Sequence, residues 1–221
     1  MDDRIEILRF TCGPFEENPY LVVGASGKRA MIVDPGLEAE GILEVARERG
    51  VEIALIVNTH GHLDHTAGNR FFKEATGAPL MIHRADVPYL ANLRRQGAMY
   101  GIDLADSPPP DAFLEEGAPL VFDGLSFDVL HTPGHTPGGV CLRLGQRLLV
   151  GDTLFRGSVG RTDLPGGDAA ALDASIRGKL FVLPDETVCL PGHGPETTIG
   201  EERRTNPFVG ERASGFASGP R

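Results

Sequence analysis

Cysteine is scarce in this sequence, and its placement argues against several kinds of structure. The three cysteines, Cys12, Cys141 and Cys189, are odd in number, and none belongs to a CxxC pair. This pattern argues against a disulfide framework and favours reduced thiols in the cytoplasm. Cys141 and Cys189 lie in apolar runs, so we predict that both are buried, inert thiols.

Positive charge and long apolar runs are also lacking. The chain has 21 basic and 31 acidic residues and a net charge of −10, so nucleic acid is not an expected partner. No apolar run reaches membrane-spanning length, and the N-terminal stretch MDDRIEILRF carries acids where a secretory signal carries basic residues. We therefore expect a cytoplasmic protein that does not engage a membrane.

What is present is the composition of a folded globular protein, with 41% hydrophobic and 24% charged residues in a chain of 221. Short runs rich in Val, Ile and Leu predict strands at 5–10, 20–24, 29–36, 52–59, 79–83, 125–132, 139–144, 147–152 and 187–192. Helical spacing of apolar residues predicts helices over 37–49, 65–77, 84–100 and 168–180, and a short helix after Thr198. Two strand-rich halves with helices between them predict two packed sheets covered by helices.

Two segments lack this periodicity. Residues 103–113 are rich in proline, and we predict a surface excursion there. Residues 210–221 are rich in Gly, Ser and Ala and have no apolar periodicity, which predicts a disordered tail. The folded domain is therefore expected to span residues 1–209.

The sequence THGHLDH, at residues 59–65, places three of the seven histidines of the chain beside an aspartate. It follows the run 52–59, which has the pattern of a strand buried on both faces. His60 and His62 are two residues apart, so in extended backbone they project to one side. Asp64 and His65 follow where the chain turns into the next predicted helix. This is the position at which an open α/β sheet presents its binding crevice.

Three further residues of the metal-binding type also follow predicted strands. His135 lies in HTPGHTPG, Asp152 ends RLLVGD, and His193 follows TVCLPG. With the residues of the first motif, the set exceeds the four ligands of one tetrahedral site and suffices for two ions that share a carboxylate. Imidazole and carboxylate suit zinc first, with iron or manganese as alternatives. Two adjacent ions of this kind indicate hydrolysis.

These residues resemble the signature of the metallo-β-lactamase superfamily. THGHLDH is similar to its HxHxDH motif, and Asp34 in VDPG, His135, Asp152 and His193 follow in the family's order over residues 5–208. The resemblance implies an α/β fold, the four-layer αβ/βα sandwich of two mixed β-sheets flanked by helices. It also implies two divalent metal ions per chain.

The resemblance further implies a role for each of these residues. It assigns His60, His62 and His135 to the first metal ion, and Asp64, His65 and His193 to the second. Asp152 would bridge the two ions, and Asp34 would be a structural residue beside the site. Asp64 and Asp152 are the implied catalytic residues, with Asp64 orienting the metal-bound hydroxide that attacks the substrate.

Within the superfamily, GDTLFRGSVGRTDLPGGD and LPGHGPETTIGEERRTNPF are most similar to short hydrolases of the glyoxalase II type. The resemblance implies a small-molecule thioester as substrate, S-lactoylglutathione or a related acyl thioester. Arg161 occupies the position of the family's basic substrate contact. Asp163 and Pro195 stand where the longer enzymes have tyrosines, and the chain ends soon after Pro207, without their helical extension. We therefore predict weak binding of the glutathione part, and the oligomeric state stays open.

Other functions of the same fold stay open at this stage. A persulfide dioxygenase shares GRTD and would hold one iron with His60, His135 and Asp152. A lactonase or another ester hydrolase is an alternative because loops such as 103–113 decide the substrate. A nuclease is disfavoured because no basic stretch is visible in the sequence. Outside the motifs, we expect a surface or capping role for His83 and keep a supporting role at the site open for His131.

Overall fold

The computed structural model describes residues 5–211 and 213, and the first half of the chain forms one mixed sheet. Its strands, in spatial order, are β1 (Ile7–Arg9), β2 (Tyr20–Val23), β3 (Arg29–Val33), β4 (Glu52–Val57), β5 (Leu80–His83) and β6 (Ala112–Leu114). The first three strands pair antiparallel, whereas β3 to β6 are parallel. The parallel strands therefore direct their carboxyl ends to one edge of the sheet.

The second half forms another mixed sheet. Its strands, in spatial order, are β7 (Leu120–Phe122), β8 (Leu125–His131), β9 (Val140–Leu144), β10 (Arg147–Gly151), β13 (Val188–Pro191) and β14 (Thr197–Thr198). Only β10 and β13 pair parallel among these neighbours. A short hairpin of β11 (Leu154–Phe155) and β12 (Ser158–Val159) follows β10.

Helices connect and cover the strands. They are α1 (Gly41–Glu48), α2 (Leu63–Thr66), α3 (Asn69–Thr76), α4 (Val87–Leu90), α5 (Leu93–Met99), α6 (Ala169–Ser175) and α7 (Ile199–Thr205), with a 3₁₀ turn at Arg84–Asp86 and a π-helical segment at Ile176–Leu180. Within residues 5–211 and 213, none of the helices combines the length and the apolar character needed to cross a membrane.

The two sheets face each other across a central apolar core. Val22 and Met31 of the first sheet and Phe127 and Leu142 of the second belong to one buried cluster. Successive side chains of a strand point to opposite faces, so the neighbours of these residues pack on the outer faces. The central core is thus made by alternate positions of both sheets.

Helices bury the outer face of each sheet. Leu21 of the first sheet packs in one cluster with Ile42 of α1 and Phe72 of α3. On the other side, Leu148 of the second sheet shares a cluster with Leu172 of α6. The order of layers is helix, sheet, sheet, helix, which confirms the four-layer αβ/βα sandwich predicted from the sequence.

Three predicted helices differ in extent from the observed ones. The helix predicted over 84–100 is broken because Asn92 leaves helical geometry, with φ −125° and ψ 23°, and its amide donates to the carbonyl of Pro88. The helix predicted over 65–77 is interrupted at Gly68, whose N–H donates to Pro35 O at 2.8 Å and where a Cβ would collide with that carbonyl. The helix predicted over 37–49 begins at Gly41, after Glu38 with its positive φ of 59°.

The remaining predictions concern two segments of biased composition and the two cysteines in apolar runs. The Pro-rich stretch 103–113 ends inside β6, so its last residues join the first sheet rather than the surface excursion. Cys141 and Cys189 are buried free thiols, as predicted, and burial raises the pKa of Cys141 to about 11. The tail predicted over 210–221 lies outside the described residues, apart from Gly210, Glu211 and Ala213.

Candidate metal centre

Four strand ends bring the predicted metal-binding residues to one place between the sheets. The segment after β4 carries His60 and His62 and then enters α2, which holds Asp64 and His65. The loop between β8 and β9 carries His135, Asp152 follows β10, and His193 follows β13. The parallel pairing of β10 with β13 sets Gly151 opposite Pro191, so the residues after both strands emerge side by side.

The first cluster consists of three histidines. His60, His62 and His135 offer ring nitrogens that lie within 4.8 Å of one another. The closest pair is His62 Nδ1 and His135 Nε2, 2.8 Å apart. The rings meet edge to face, with centroids 5.0 Å apart for His60 and His62 and 4.8 Å apart for His60 and His135. All three are buried, and their donor atoms face a common point.

The second cluster lies directly beside the first. Asp64, His65 and His193 also place their donor atoms within 4.8 Å of one another. His65 Nε2 and His193 Nε2 are 3.3 Å apart, and Asp64 Oδ2 lies 3.2 Å from His193 Nε2. Two nitrogens and one oxygen therefore converge on a second point.

Asp152 stands between the two clusters. Its Oδ2 lies 3.5 Å from Nε2 of His135 in the first cluster and 3.6 Å from Nε2 of His193 in the second. Its Oδ1 lies 3.3 Å from His65 Nε2. A bridging ligand needs this central position, and the role of Asp152 as the bridge stays a prediction.

The donor set fits two cations. His60 Nε2 is buried and finds no hydrogen-bond partner among the described residues, although such a group is costly to leave unmet. The close approaches of imidazole nitrogens are likewise explained if both nitrogens direct lone pairs at one ion. Three nitrogens in one cluster, two nitrogens and an oxygen in the other, and a shared carboxylate suit zinc, iron or manganese.

The outward ring nitrogens are fixed by hydrogen bonds. His135 Nδ1 donates to Arg161 O at 2.7 Å, and His193 Nδ1 donates to Phe15 O at 3.0 Å. Because a carbonyl oxygen only accepts, Nδ1 carries a hydrogen, and in the neutral ring Nε2 then presents its lone pair to the cluster. Such outer partners orient metal ligands and strengthen their basicity.

Burial and charge set the protonation of the centre. Burial lowers the pKa of His60 well below its ordinary value and that of His62 to about 3, so both stay in the neutral form that binds metal ions. His65 differs: burial opposes its protonation, but the carboxylates of Asp152 and Asp64 outweigh burial and raise its pKa. Burial acts against ionisation of Asp152, yet His65 and His135 hold its pKa well below the usual range. Asp152 therefore stays ionised, as a cation ligand must.

Comparison with known proteins places this geometry in a family. A family model described as the metallo-beta-lactamase superfamily matches residues 12–193. The chain belongs to the metallo-β-lactamase superfamily. It is 38% identical over 213 residues to a Haemophilus influenzae protein named hydroxyacylglutathione hydrolase GloC, a match that covers 95% of this chain and 99% of that protein.

Two solved structures extend the comparison. BLEG-1 B3 metallo-beta-lactamase is similar with a TM-score of 0.86 and 34% identity, over 92% of this chain and 99% of that one. TTHA1623 in a di-iron-bound form is similar with a TM-score of 0.83 and 42% identity, over 90% and 98% of the two chains. The chain thus belongs to a superfamily of metal-dependent hydrolases, and its relatives differ in the activity or metal that they are named for.

Asp34 contacts the segment that carries metal-binding donors. Its two oxygens accept hydrogen bonds from the N–H and the hydroxyl of Thr59, both at 2.6 Å. Asp34 Oδ2 also lies 3.1 Å from His65 Nδ1, and its donor atoms are close enough to His60 and His65 to share an ion with them. Because Asp34 accepts hydrogen bonds from Thr59 and lies within hydrogen-bond distance of the outward ring nitrogen of His65, the geometry favours the structural role expected from the sequence.

Two buried acids at the centre are not among the residues predicted from the sequence. Asp86 is fully buried and accepts from Gly61 N at 2.9 Å, Thr136 Oγ1 at 2.7 Å and Gly138 N at 2.6 Å. It therefore joins the loop that carries His60 and His62 to the loop that carries His135. The sequence indicates Asp86 only by its position shortly after the strand predicted at 79–83, which the structure pairs with β4.

Glu17 is the second of these acids. It is 1% exposed, and neither of its carboxylate oxygens accepts a hydrogen bond from a described residue. Its Oε1 lies 3.6 Å from His65 Nδ1, and burial raises the pKa of Glu17 well above the usual range. Nothing in the local sequence distinguishes it from a surface glutamate in a turn.

A cavity of about 1000 Å³ opens over the two clusters, and Asp64 and Asp152 lie in its lining. Arg161, the predicted substrate contact, also lines it. However, the guanidinium of Arg161 is held by Asp163, with Nε to Oδ1 at 2.7 Å and Nη2 to Oδ2 at 2.8 Å. The structure thus brings Arg161 to the cavity but with its charge already paired.

The two remaining histidines lie outside the clusters. His83 and His131 stack on each other with ring centroids 4.2 Å apart. His83 accepts from Ala85 N at the start of the 3₁₀ turn, which agrees with the capping role expected for it. His131 Nε2 donates to Pro137 O at 2.9 Å and so contacts the loop that carries His135.

Proposed function

We propose that this protein is a dinuclear metal-dependent hydrolase of thioesters, similar to glyoxalase II. The observation that carries the proposal is the pair of adjacent donor clusters with Asp152 between them, at the base of a cavity large enough for a substrate. The relative named hydroxyacylglutathione hydrolase GloC supports the thioester class. The metal ions are expected to be zinc, with iron or manganese as alternatives, and the protein is expected to act in the cytoplasm.

The residues of the chain divide the work around the bound ions. When bound, two divalent ions supply Lewis acidity toward a carbonyl oxygen and a water of lowered pKa. The two clusters would hold the ions, with Asp152 as the predicted bridge between them. Asp64 lines the cavity and keeps 18% of its side chain exposed, so its carboxylate can accept a hydrogen bond from water at the reacting face and orient it.

The leaving group favours a thioester over an ester or amide. A thiolate, with a thiol pKa of about 8.5, departs without a proton donor, whereas an alkoxide or amine does not. Tyr89, whose ring contacts that of His62, donates its hydroxyl hydrogen to Pro165 O at 2.6 Å. The hydroxyl hydrogen of Tyr89 is therefore committed to the backbone, which fits a reaction that needs no separate general acid.

The second cluster supports a hydrolase over the alternative dioxygenase. A mononuclear iron centre needs two histidines and one carboxylate, which His60, His135 and Asp152 would supply. Asp64, His65 and His193 would then converge without an ion between them. Their convergence, with His65 Nε2 and His193 Nε2 only 3.3 Å apart, is explained by the two-ion centre.

The test is a set of substrates given to the metal-replete protein. We expect hydrolysis of S-lactoylglutathione and of simpler acyl thioesters, with slower turnover of a lactone and a β-lactam. His62→Ala should abolish the activity, whereas His83→Ala, a matched histidine outside both clusters, should retain it. Turnover of no thioester above the rate of the chelator-treated protein would refute the proposal, and oxygen uptake with a glutathione persulfide would establish the dioxygenase instead.

A further inference from the structure

The walls of the cavity are mainly apolar. Its lining includes Phe15, Leu63, Met99, Tyr100 and Phe155. Phe15 and Tyr100 meet edge to face with centroids 5.2 Å apart, so the loop after β1 and the end of α5 form one continuous wall. Met99 and Tyr100 leave 65% and 46% of their surface exposed at the mouth. Adjacent exposed apolar side chains at a cavity mark a binding surface for an apolar ligand.

Most polar side chains in the lining are already engaged. Gln96 accepts from Leu63 N at 3.0 Å and donates to Gly61 O at 3.2 Å and Tyr89 O at 3.0 Å, so its amide serves the backbone of the metal-binding loop. The hydroxyl of Tyr89 is held by Pro165. Neither group is free to bind a polar substrate.

Among the described residues, the lining holds two arginines, and they differ in their partners. Arg161 is neutralised by the two hydrogen bonds to Asp163. Arg95, on α5, lies one turn before Met99, and its guanidinium makes no hydrogen bond or ion pair with any residue in the described part of the chain. Arg95 is therefore the cation of this cavity that is available to a substrate.

We infer that the substrate is a thioester with an apolar body and a single carboxylate, and that Arg95 binds this carboxylate. The inference rests on the proposed thioesterase and names its substrate class. The apolar body would lie against Phe15, Met99 and Tyr100, while the thioester carbonyl faces the two clusters. Glutathione fits this cavity poorly because it carries two carboxylates and an ammonium group on a polar backbone, and burying unpaired polar groups is costly.

The experiment compares matched thioesters of 3-mercaptopropionate on the metal-replete protein. Acetyl, butyryl and hexanoyl thioesters vary the apolar body, and their methyl esters remove the carboxylate. We expect kcat/KM to rise by about twofold to fourfold per added methylene, as burial of a methylene predicts. We expect the KM of each methyl ester to be at least about tenfold higher than that of its acid, because the ester loses one charge-assisted hydrogen bond. We expect the KM of S-lactoylglutathione to be at least about tenfold higher than that of the hexanoyl acid, because it lacks the apolar acyl chain and brings polar groups to an apolar wall.

Substitutions on α5 test which residues bind the carboxylate and the acyl chain. Arg95→Gln should raise KM for the acids about tenfold with little change in kcat and leave the methyl esters unaffected. Arg94→Gln, its neighbour on the same helix outside the lining, should behave as the unmodified protein. Met99→Ser should flatten the dependence on acyl length. Circular dichroism of each variant would verify the fold.

The results distinguish failure of the substrate class, or of the role of Arg95, from failure of the proposed thioesterase activity. Equal turnover of acids and methyl esters, or an Arg95→Gln variant unchanged with the acids, would overturn the assignment of Arg95. S-lactoylglutathione as the best substrate, with KM raised only by Arg161→Gln, would overturn the apolar substrate class and leave the thioesterase intact. Hydrolysis of no thioester at all would refute the proposed function itself.

Discussion

Asp86 is predicted to hold the two metal-binding loops together, and Asp86→Ala tests this. The substitution leaves three buried donors without an acceptor: Gly61 N, Thr136 Oγ1 and Gly138 N. An unmet buried donor costs about 1–3 kcal/mol, which gives about 3–9 kcal/mol in total. Burial raises the pKa of Asp86, so removing its buried charge offsets part of this loss. We therefore expect the free energy of unfolding to fall by about 2–4 kcal/mol.

The same substitution should affect the two clusters unequally. Gly61 lies between His60 and His62, and Thr136 follows His135, so the loops released by the change carry the first cluster. Loss of an outer partner of a metal site lowers affinity about 10- to 100-fold. We expect a loss of this size for one zinc equivalent and a smaller loss for the other, as measured by competition with a chromophoric chelator.

Urea unfolding and zinc competition on three variants check the prediction. Asp86→Asn keeps the shape and one acceptor oxygen, so it should fold and show an intermediate loss of zinc affinity. Asp128→Ala, at a carboxylate that is 66% exposed on β8, should stay within about 0.5 kcal/mol of the unmodified protein. An Asp86→Ala protein with unchanged stability and two unchanged zinc affinities would refute the reasoning.

Two further substitutions probe the centre. Asp152→Ala should reduce thioester turnover at least about 100-fold, because loss of an outer partner of a metal ligand alone costs about 10- to 100-fold. The loss should exceed that of His193→Ala, because the Asp152 carboxylate lies between both clusters. Equal residual rates with metal content intact would show that Asp152 is not the bridge. Gly192→Ala should lower metal occupancy, since the added Cβ would collide with Asp152 Oδ1 and His65 Cε1. The control Gly178→Ala, which has open space around the added Cβ, should bind metal normally. Equal metal occupancy in the two variants would contradict this packing.

The sequence predicts the parts of this molecule that depend on local patterns. Alternating apolar runs indicate the strands of both sheets, and the donors of the centre are recognisable because each lies in a segment that follows a predicted strand. The partners across the fold are not predictable in this way. Asp86 meets Gly61 and Gly138 only because β5 lies beside β4 and the two sheets face each other.

Burial and pairing of charge also depend on the tertiary structure. Glu17 lies in a turn that reads as surface in sequence, yet it packs beneath His65 and is 1% exposed. Arg161 pairs with Asp163, two residues further along the same motif. The family resemblance implies a substrate contact for Arg161 but does not indicate this ion pair. The availability of Arg95 follows from the way in which α5 borders the cavity, which no periodicity of that helix indicates.

The metal content of the purified protein distinguishes a two-ion hydrolase from a one-iron dioxygenase. The protein would be purified anaerobically, supplied with zinc, iron or manganese in turn, and analysed for metal per chain together with thioester hydrolysis. We expect two ions per chain, with activity that appears as the second ion is bound. A single iron per chain, with no second ion bound on titration and oxygen consumed in turnover, would contradict it.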